Sequence, residues 1–535
     1  MDAPKEDGIG VKAARIIYPL FIGQVFGIIF TALTFIVVAR LLGPASYGLY
    51  TFAFGFSALV NGFLAFGVGP YFSSNLARLA YKKDGEGIMD TLNSGYVIAG
   101  AMGVVLTIFG VAVSGPIAAV FVKVGISPLV LMLASGTIIS SILNTLGISA
   151  LIGLSRAGLS AVVNILVDIM QLALSVALAL AFGVAGAVAA MLIGYAIGAA
   201  IGAYLVYRVV SKRFKFRIYF PPIKRIGEVF SVVWPLGATN FLNTGMQNFS
   251  ILFLGLYVST AVLGNYGAAS RGLALLSAMY LSIGSGLLPI FATAKAMGLS
   301  DGINATYNKI IRFTMIIMLP VIVYVGAFAA PGLYLLVGAE YTLAPFYLAL
   351  IAAGTMIGLF GTYMNQLLIS GGKTFSVLRI NFVSALIQLV LMVALVPYYK
   401  VVGAIIAIFF IGNMVEAALF ARDARLLLGL KLEFRKLLLL YAGNIALGLA
   451  FVAASLAAGV AAMPLGISAG YAAALACGIV AFVIFYPAIL VAFRVIDKGD
   501  ISGARGAMQK LGKVSAVFDP LLDYSERLRA MLNGG

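Results

Sequence analysis

IIYPLFIGQVFGIIFTALTFIVVA, residues 16–39, runs for 24 residues between Arg15 and Arg40 without a single charge. An α-helix rises about 1.5 Å per residue, so this stretch is long enough to cross the roughly 30 Å of hydrocarbon in a bilayer. Lys5, Lys12 and Arg15 precede it, as basic residues precede a secretory leader, but it is too long for one and is followed by another apolar run instead of a cleavage site. It reads as a retained membrane helix.

Runs of the same kind recur at about 48–69, 94–120, 128–152, 159–182, 184–207, 229–257, 266–294, 311–330, 344–369, 374–396, 401–421, 437–460 and 468–493, separated by short polar or basic joints. Strand-period alternation, the mark of a membrane β-barrel, is missing from them. Of the 535 residues 62% are apolar and 10% charged, more hydrophobic surface than one aqueous core absorbs. The expected fold class is an all-α polytopic membrane protein of about fourteen transmembrane helices.

The net charge of +17 is sorted by side of the membrane. With the N-terminus inside, the inner joints and ends hold 31 of the 35 Lys and Arg, and the outer joints hold Arg40, Lys123 and Lys400. That asymmetry orients the chain with both termini cytoplasmic in the plasma membrane. The basic residues form no continuous aromatic-laced patch, so nucleic acid is not an expected partner. A lone Cys477 and the lack of any histidine exclude a disulfide, a cysteine or zinc–histidine metal site and a histidine proton relay. The sequence contains no phosphate-cradling glycine loop of the ATPase type, and no cofactor is expected.

The opening stretch also begins a repeat. A shift of 216 residues places Tyr18-Pro19-Leu20 on Trp234-Pro235-Leu236, Gln24 on Asn240, Thr31 on Gln247, Gly48 on Gly264 and Tyr50 on Tyr266. A shift of 217 places Asn164 on Asn381, Gln171 on Gln388, and Val184-Ala185-Gly186-Ala187 on Val401-Val402-Gly403-Ala404. Chance matches are common among apolar residues but not among polar residues inside spans. The expected organisation is an N-lobe at 1–208, a basic cytoplasmic linker at 209–228, a C-lobe at 229–424, two further helices within 425–493, and a cytoplasmic tail at 494–535. An even number of spans per copy makes the copies parallel, related by an axis along the membrane normal. In the tail, Phe518, Leu521, Leu522, Leu528, Met531 and Leu532 follow the period of a helix lying on the inner leaflet.

Ala39-Arg40-Leu41-Leu42-Gly43-Pro44-Ala45-Ser46-Tyr47-Gly48-Leu49-Tyr50 after the first span, Gly67 and Asn75-Leu76-Ala77-Arg78 after the second, and Leu335-Leu336-Val337-Gly338-Ala339-Glu340-Tyr341 with Ala344-Pro345 between the ninth and tenth carry a resemblance. Over essentially its whole length the chain resembles the polysaccharide and oligosaccharide flippases of the multidrug/oligosaccharidyl-lipid/polysaccharide (MOP) exporter superfamily. The resemblance implies outward translocation of a polyprenyl-(di)phosphate-linked oligosaccharide by alternating access, with membrane lipids and glycan-assembly proteins as further partners. Independently of it, Gly43-Pro44 breaks the helix and Gly48 lets the next one start close by, which a simple tight connector would also do.

A side-chain amide in hydrocarbon is costly without a partner or a watery cavity, so polar stripes locate interior faces. Asn240, Asn243, Thr244 and Gln247 share one face of the seventh span, with Gln24 and Thr31 at the equivalent places in the first. The fifth and eleventh spans carry Asn164, Asp168 and Gln171, and Asn381, Ser384 and Gln388. These groups either line a cavity or join helices through hydrogen bonds worth about 0.6–2 kcal/mol each. Arg271 lies roughly one and a half turns into the eighth span, placed either to bind a phosphate through its fork of donors or to snorkel to the outer interface. Asp168 is the one carboxylate deep in a span: a switch coupled to Na+ or H+, or a carboxyl held by neighbouring amides. Glu416 and Arg379, near helix ends, suit structural roles.

Within the same superfamily, lipid II flippases have fourteen helices, whereas ion-coupled multidrug antiporters usually stop at twelve and carry an acidic residue in the first span, lacking here. Major-facilitator transporters with fourteen helices place the extra pair between lobes. A membrane-embedded glycan polymerase or glycosyltransferase would need a substantial soluble loop for its catalytic groups, and the outer joints here are about fifteen residues or shorter. The chain is therefore expected to be a transporter and not an enzyme.

Overall fold

The computed structural model describes residues 7–62, 65–121, 125–212, 217, 219–274, 300–462 and 466–492; some side chains within these ranges, including those of 7–22, are outside the description, as is the expected tail at 494–535. The described residues are helical with no strand, as an all-α membrane protein requires, because a lipid-exposed segment must satisfy its backbone polar groups internally. Eight of these helices are long and apolar enough to cross a membrane, or nine if one bent pair is counted as a single span.

In chain order the helices are α1 (Asp7–Gly62), α2 (Ala65–Lys82), α3 (Gly85–Val120), α4 (Pro128–Gly153), α5 (Ala157–Ser211), α6 (Ile223–Leu254), α7 (260–274), α8 (Ser300–Ala327), α9 (Ala329–Val337), α10 (Ala344–Ser370), α11 (Thr374–Ile405), a π segment (Ile406–Gly412), α12 (Asn413–Leu428), α13 (Phe434–Ala462) and α14 (Ile467–Ala492). Non-helical residues separate consecutive expected spans: Gly43 within α1, Gly183 within α5, and Lys400 near the end of α11, beyond which the span at 401–421 runs through the π segment into α12. Each expected span then has its helix, the one at 266–294 being described as far as residue 274.

Local sequence explains the ends. Ser127 accepts a hydrogen bond from the Leu129 N–H at 3.3 Å and Pro128 takes the first helical position of α4, where its missing N–H costs nothing. Asp84 caps α3 through the Gly87 N–H at 2.9 Å, so that helix begins nine residues ahead of the apolar run at 94. Helix α2 continues to Lys82, and Asn75–Arg78 lie on its last turns and not after them. The α8–α9 pair bends by 70° at Phe328, where Pro331 cannot donate to the carbonyl four residues earlier.

The repeat is visible in the backbone. Gly183 (φ 57°, ψ −131°) and Lys400 (φ 50°, ψ −126°) are 217 residues apart and break their helices in nearly the same conformation. Three residues on, a Cβ at Gly186 would collide with the Leu178 carbonyl and one at Gly403 with the carbonyl of Leu395, again a repeat-related pair.

By packing, the chain forms two compact units. The first contains 1–271 and 385–404; in it α1 packs on α5 and α6, α4 on α3 and α5, and α2 on α4 and α6. The second contains the described residues of 272–384 and 405–492, with α10 against α8 and α12 and the α13–α14 pair against α8 and α9. The terminal pair is pinned by polar and aromatic contacts. Tyr324 donates to the Leu475 carbonyl at 2.9 Å, Tyr441 to that of Met356 at 2.8 Å, and the Phe328 and Phe451 rings lie 5.7 Å apart.

Candidate functional site

The charged and polar groups expected inside the membrane come together most densely within the first unit. Small residues of α1 let α5 approach: a Cβ at Gly23 would press on Ala161, and one at Gly27 would lie 3.3 Å from Asp168 Oδ2. Asp168 and Gln171 thus share the buried side of α5, with Asn164 half-buried one turn earlier. Across from them, the second half of α5 supplies Gly194, against whose Cα the Gln171 side chain lies, and Tyr195, which is hydrogen-bonded to Gln171 and within electrostatic reach of Asp168. Gly198 likewise makes room for Asn144 of α4. Gln171 Nε2, Asn144 Oδ1 and Ser175 Oγ are buried without a hydrogen-bond partner.

Tyr195 links this group to a second one. Its hydroxyl and those of Tyr47 and Tyr50 all feel the charge of Arg271. The Arg271 guanidinium carbon sits 3.7 Å above the centroid of Phe54, and the Tyr47 and Tyr50 rings are 5.6 Å apart. Tyr50 donates to the Met191 sulfur at 3.1 Å, and Tyr47 is hydrogen-bonded to Thr51. Among the described residues no carboxylate lies within ion-pair distance of Arg271.

The energetics leave this cation with unspent demand. An arginine within a membrane helix costs at most about 2.5–3.5 kcal/mol on insertion scales, the value for the helix centre. A desolvated cation–π contact returns roughly 2 kcal/mol, and its donors remain available to an anion. A guanidinium fork within electrostatic reach of three phenol hydroxyls has the chemistry to hold an anion.

The other expected residues are distributed differently. Gln24, Thr31 and Gln247 are exposed on their helices, while the side chains of Asn240, Asn243 and Thr244 lie outside the described residues. Gln388 is buried on the part of α11 that belongs to the first unit. In the second unit Asn381 is only 2% exposed, and neither atom of its amide has a hydrogen-bond partner. One turn further, the Ser384 hydroxyl donates to Glu416 Oε1 at 2.9 Å. Arg379 pairs at 2.7 Å with the buried carboxylate of Asp423, which also accepts from Ser376. Glu416 thus contacts a serine hydroxyl, and Arg379 a buried carboxylate.

Sequence reasoning missed Phe54, Tyr195 and Asn144, and read Tyr47 and Tyr50 as parts of a turn and Tyr50 as a repeat match, not as site residues. Aromatic residues in a span give no polarity signal, and only the α1–α5–α7 packing shows that they surround a charge. Spacing does hold one clue: Tyr47 and Tyr50 lie on the same side of one helix as Phe54, three and four residues apart.

Residues 37–344 match the family described as polysaccharide biosynthesis protein. No curated protein matches the chain. Among solved structures it is similar to the lipid II flippase MurJ in an inward closed conformation, with a TM-score of 0.69 at 16% identity over 88% of this chain and 98% of that one. It is also similar to a multidrug resistance MATE family transporter of the MOP superfamily in an inward-facing conformation, with a TM-score of 0.60 at 19% identity over 78% and 98%. A MOP superfamily transporter from Pyrococcus furiosus Vc1 gives 0.54 at 19% identity over 78% and 95%. At these identities the likeness establishes the fold.

Proposed function

The chain belongs to the polysaccharide biosynthesis protein family and has the fold of the MOP superfamily of transporters and flippases, and from that premise we propose that it moves a polyprenyl-(di)phosphate-linked oligosaccharide from the cytoplasmic to the outer leaflet by alternating access. The observation that carries the reading is Arg271, held over Phe54 among Tyr47, Tyr50 and Tyr195 with no carboxylate to neutralise it among the described residues.

A lipid-linked glycan carries many hydroxyls and a charged phosphate, and each polar group left unsatisfied in hydrocarbon costs several kcal/mol. In this reading the head group passes along the axis relating the two six-helix copies while the polyprenyl tail stays in the bilayer. Arg271 takes the phosphate, and the unpartnered atoms Gln171 Nε2 and Asn144 Oδ1 serve as sites for water or sugar hydroxyls. Asp168, packed at Gly27 and, like Arg271, within electrostatic reach of Tyr195, supports a second element: a carboxyl that takes up H+ or Na+. The N-lobe at 1–208, linker at 209–228 and C-lobe at 229–424 would then turn about a plasma-membrane axis with both termini cytoplasmic. A lipid II-type substrate or a multidrug cation are the competing cargoes, and the second fits poorly with an unneutralised arginine.

The test is transport of fluorescent lipid-linked oligosaccharide in reconstituted vesicles. Arg271→Ala should lower the rate about tenfold to a hundredfold, the scale of one charged hydrogen bond to phosphate, with Arg271→Lys in between. Equal rates for wild type and Arg271→Ala would remove Arg271 from the substrate path, and no transport by wild type under any imposed gradient would overturn the function.

A further inference from the structure

The second half of α1 and helix α7 meet inside the first unit at two glycines that the repeat makes equivalent. A Cβ built on Gly48 would collide with the Thr260 carbonyl, and one built on Gly264 would collide with the carbonyl of Pro44. Pro44 and Thr260 are themselves related by the shift of 216, as are Gly48 and Gly264. Each helix thus presses its backbone on the same place of the other, and the crossing straddles the axis that relates the copies. One turn on, a Cβ at Gly267 would lie 3.0 Å from Thr51 Cβ, and 267 is the counterpart of 51. One further turn breaks the symmetry, because Gly55 has Arg271 as its counterpart. The phosphate-binding cation of the proposed function therefore lies about two turns along α7 from the crossing.

We propose that the Gly48–Gly264 crossing is the outer gate of the transport path. Several observations converge on it. A path along the axis can open at one end only if the elements that meet on the axis there separate. The crossing lies beside the Gly43-Pro44 turn, which the sorting of basic residues places on the outer side. The contact is between backbones, so the helices part without disentangling side chains, whereas closure demands hydrogen at both positions. Any larger residue at 48 or 264 is compatible with the parted state and not with the closed one. This inference rests on the alternating-access reading and assigns its outward-closing contact.

Two measurements test it in a Cys477→Ala background, which leaves no native thiol. In the first, Thr51→Cys is labelled from outside by a membrane-impermeant maleimide. Gly48→Ala with Gly264→Ala should speed that labelling about tenfold or more, as overpacking a close contact shifts a two-state equilibrium towards the open form. Unchanged labelling in a variant that keeps its detergent-solubilised gel-filtration profile would overturn the proposal. In the second, Thr51→Cys with Gly267→Cys is oxidised with copper phenanthroline. The disulfide should form readily, stop transport of the lipid-linked oligosaccharide, and release it on reduction. A disulfide that forms while transport continues sinks the gate and leaves the function standing. The labelling arm uses no substrate, so it still decides the gate if the cargo has been misassigned.

Discussion

Arg271 and Asn381 show what a single buried polar group demands of its surroundings. Arg271 lies over the Phe54 ring and within electrostatic reach of three phenols, with no carboxylate beside it among the described residues, so its charge is left to act on a ligand. Asn381 is nearly fully buried with neither amide atom paired. An amide that joined helices would contribute roughly 0.6–2 kcal/mol, and its replacement by leucine would cost that much. An amide with no protein partner contributes nothing of the kind, so Asn381→Leu should leave the melting temperature in detergent unchanged or raise it. A fall corresponding to about 1 kcal/mol would show that the amide serves as helix glue. The same comparison explains why the site was only half legible in the sequence. Asp168, Gln171 and Arg271 stand out because polarity in an apolar run is conspicuous. Phe54 and Tyr195 do not, because their role depends on which helix their span packs against.

At the scale of elements, the repeat places glycine and lysine at one equivalent backbone position. Gly183 and Lys400 both have φ near +55° with ψ near −130°, a region a side chain makes strained. Strain of this kind costs about 1–3 kcal/mol, so Lys400→Gly should stabilise the protein by about 1 kcal/mol and Gly183→Ala should destabilise it by a similar or larger amount. Thermal melts of the two variants in the same detergent check both signs, and a destabilising Lys400→Gly would mean that the lysine side chain contributes more than the strain. Span number and order were legible because an apolar run of membrane length has few alternatives to a helix. The ends were not: α3 begins on a polar turn capped by Asp84, and α2 runs through Asn75–Arg78, because helix propensity and capping continue where hydrophobicity stops. The π segment at Ile406–Gly412 and the 70° bend at Phe328 depend on packing and left little trace in composition.

For the whole molecule, the decisive quantity is the charge that crosses the membrane with each substrate. An inside-negative potential favours outward movement of negative charge by about 2.3 kcal/mol per elementary charge per 100 mV. A substrate bearing a diphosphate and carried without a counter-ion should therefore accumulate outside strongly with voltage, by a factor of roughly fifty per net charge at 100 mV. If Asp168 exchanges a proton or sodium ion in the opposite direction, each cycle moves one further charge with the same sign of work, and the voltage dependence steepens accordingly. Asp168→Asn removes that ion but not the substrate's own charge. The expected outcome in vesicles clamped by potassium and valinomycin is that wild-type distribution responds to voltage with a slope one charge larger than that of Asp168→Asn, while both retain a dependence set by the phosphate. Equal slopes in the two proteins would restrict Asp168 to a structural role beside Gly27, and a flat response in both would mean that cations cross with the head group and cancel its charge, since Arg271 returns with the empty carrier and leaves the net charge moved per cycle unchanged.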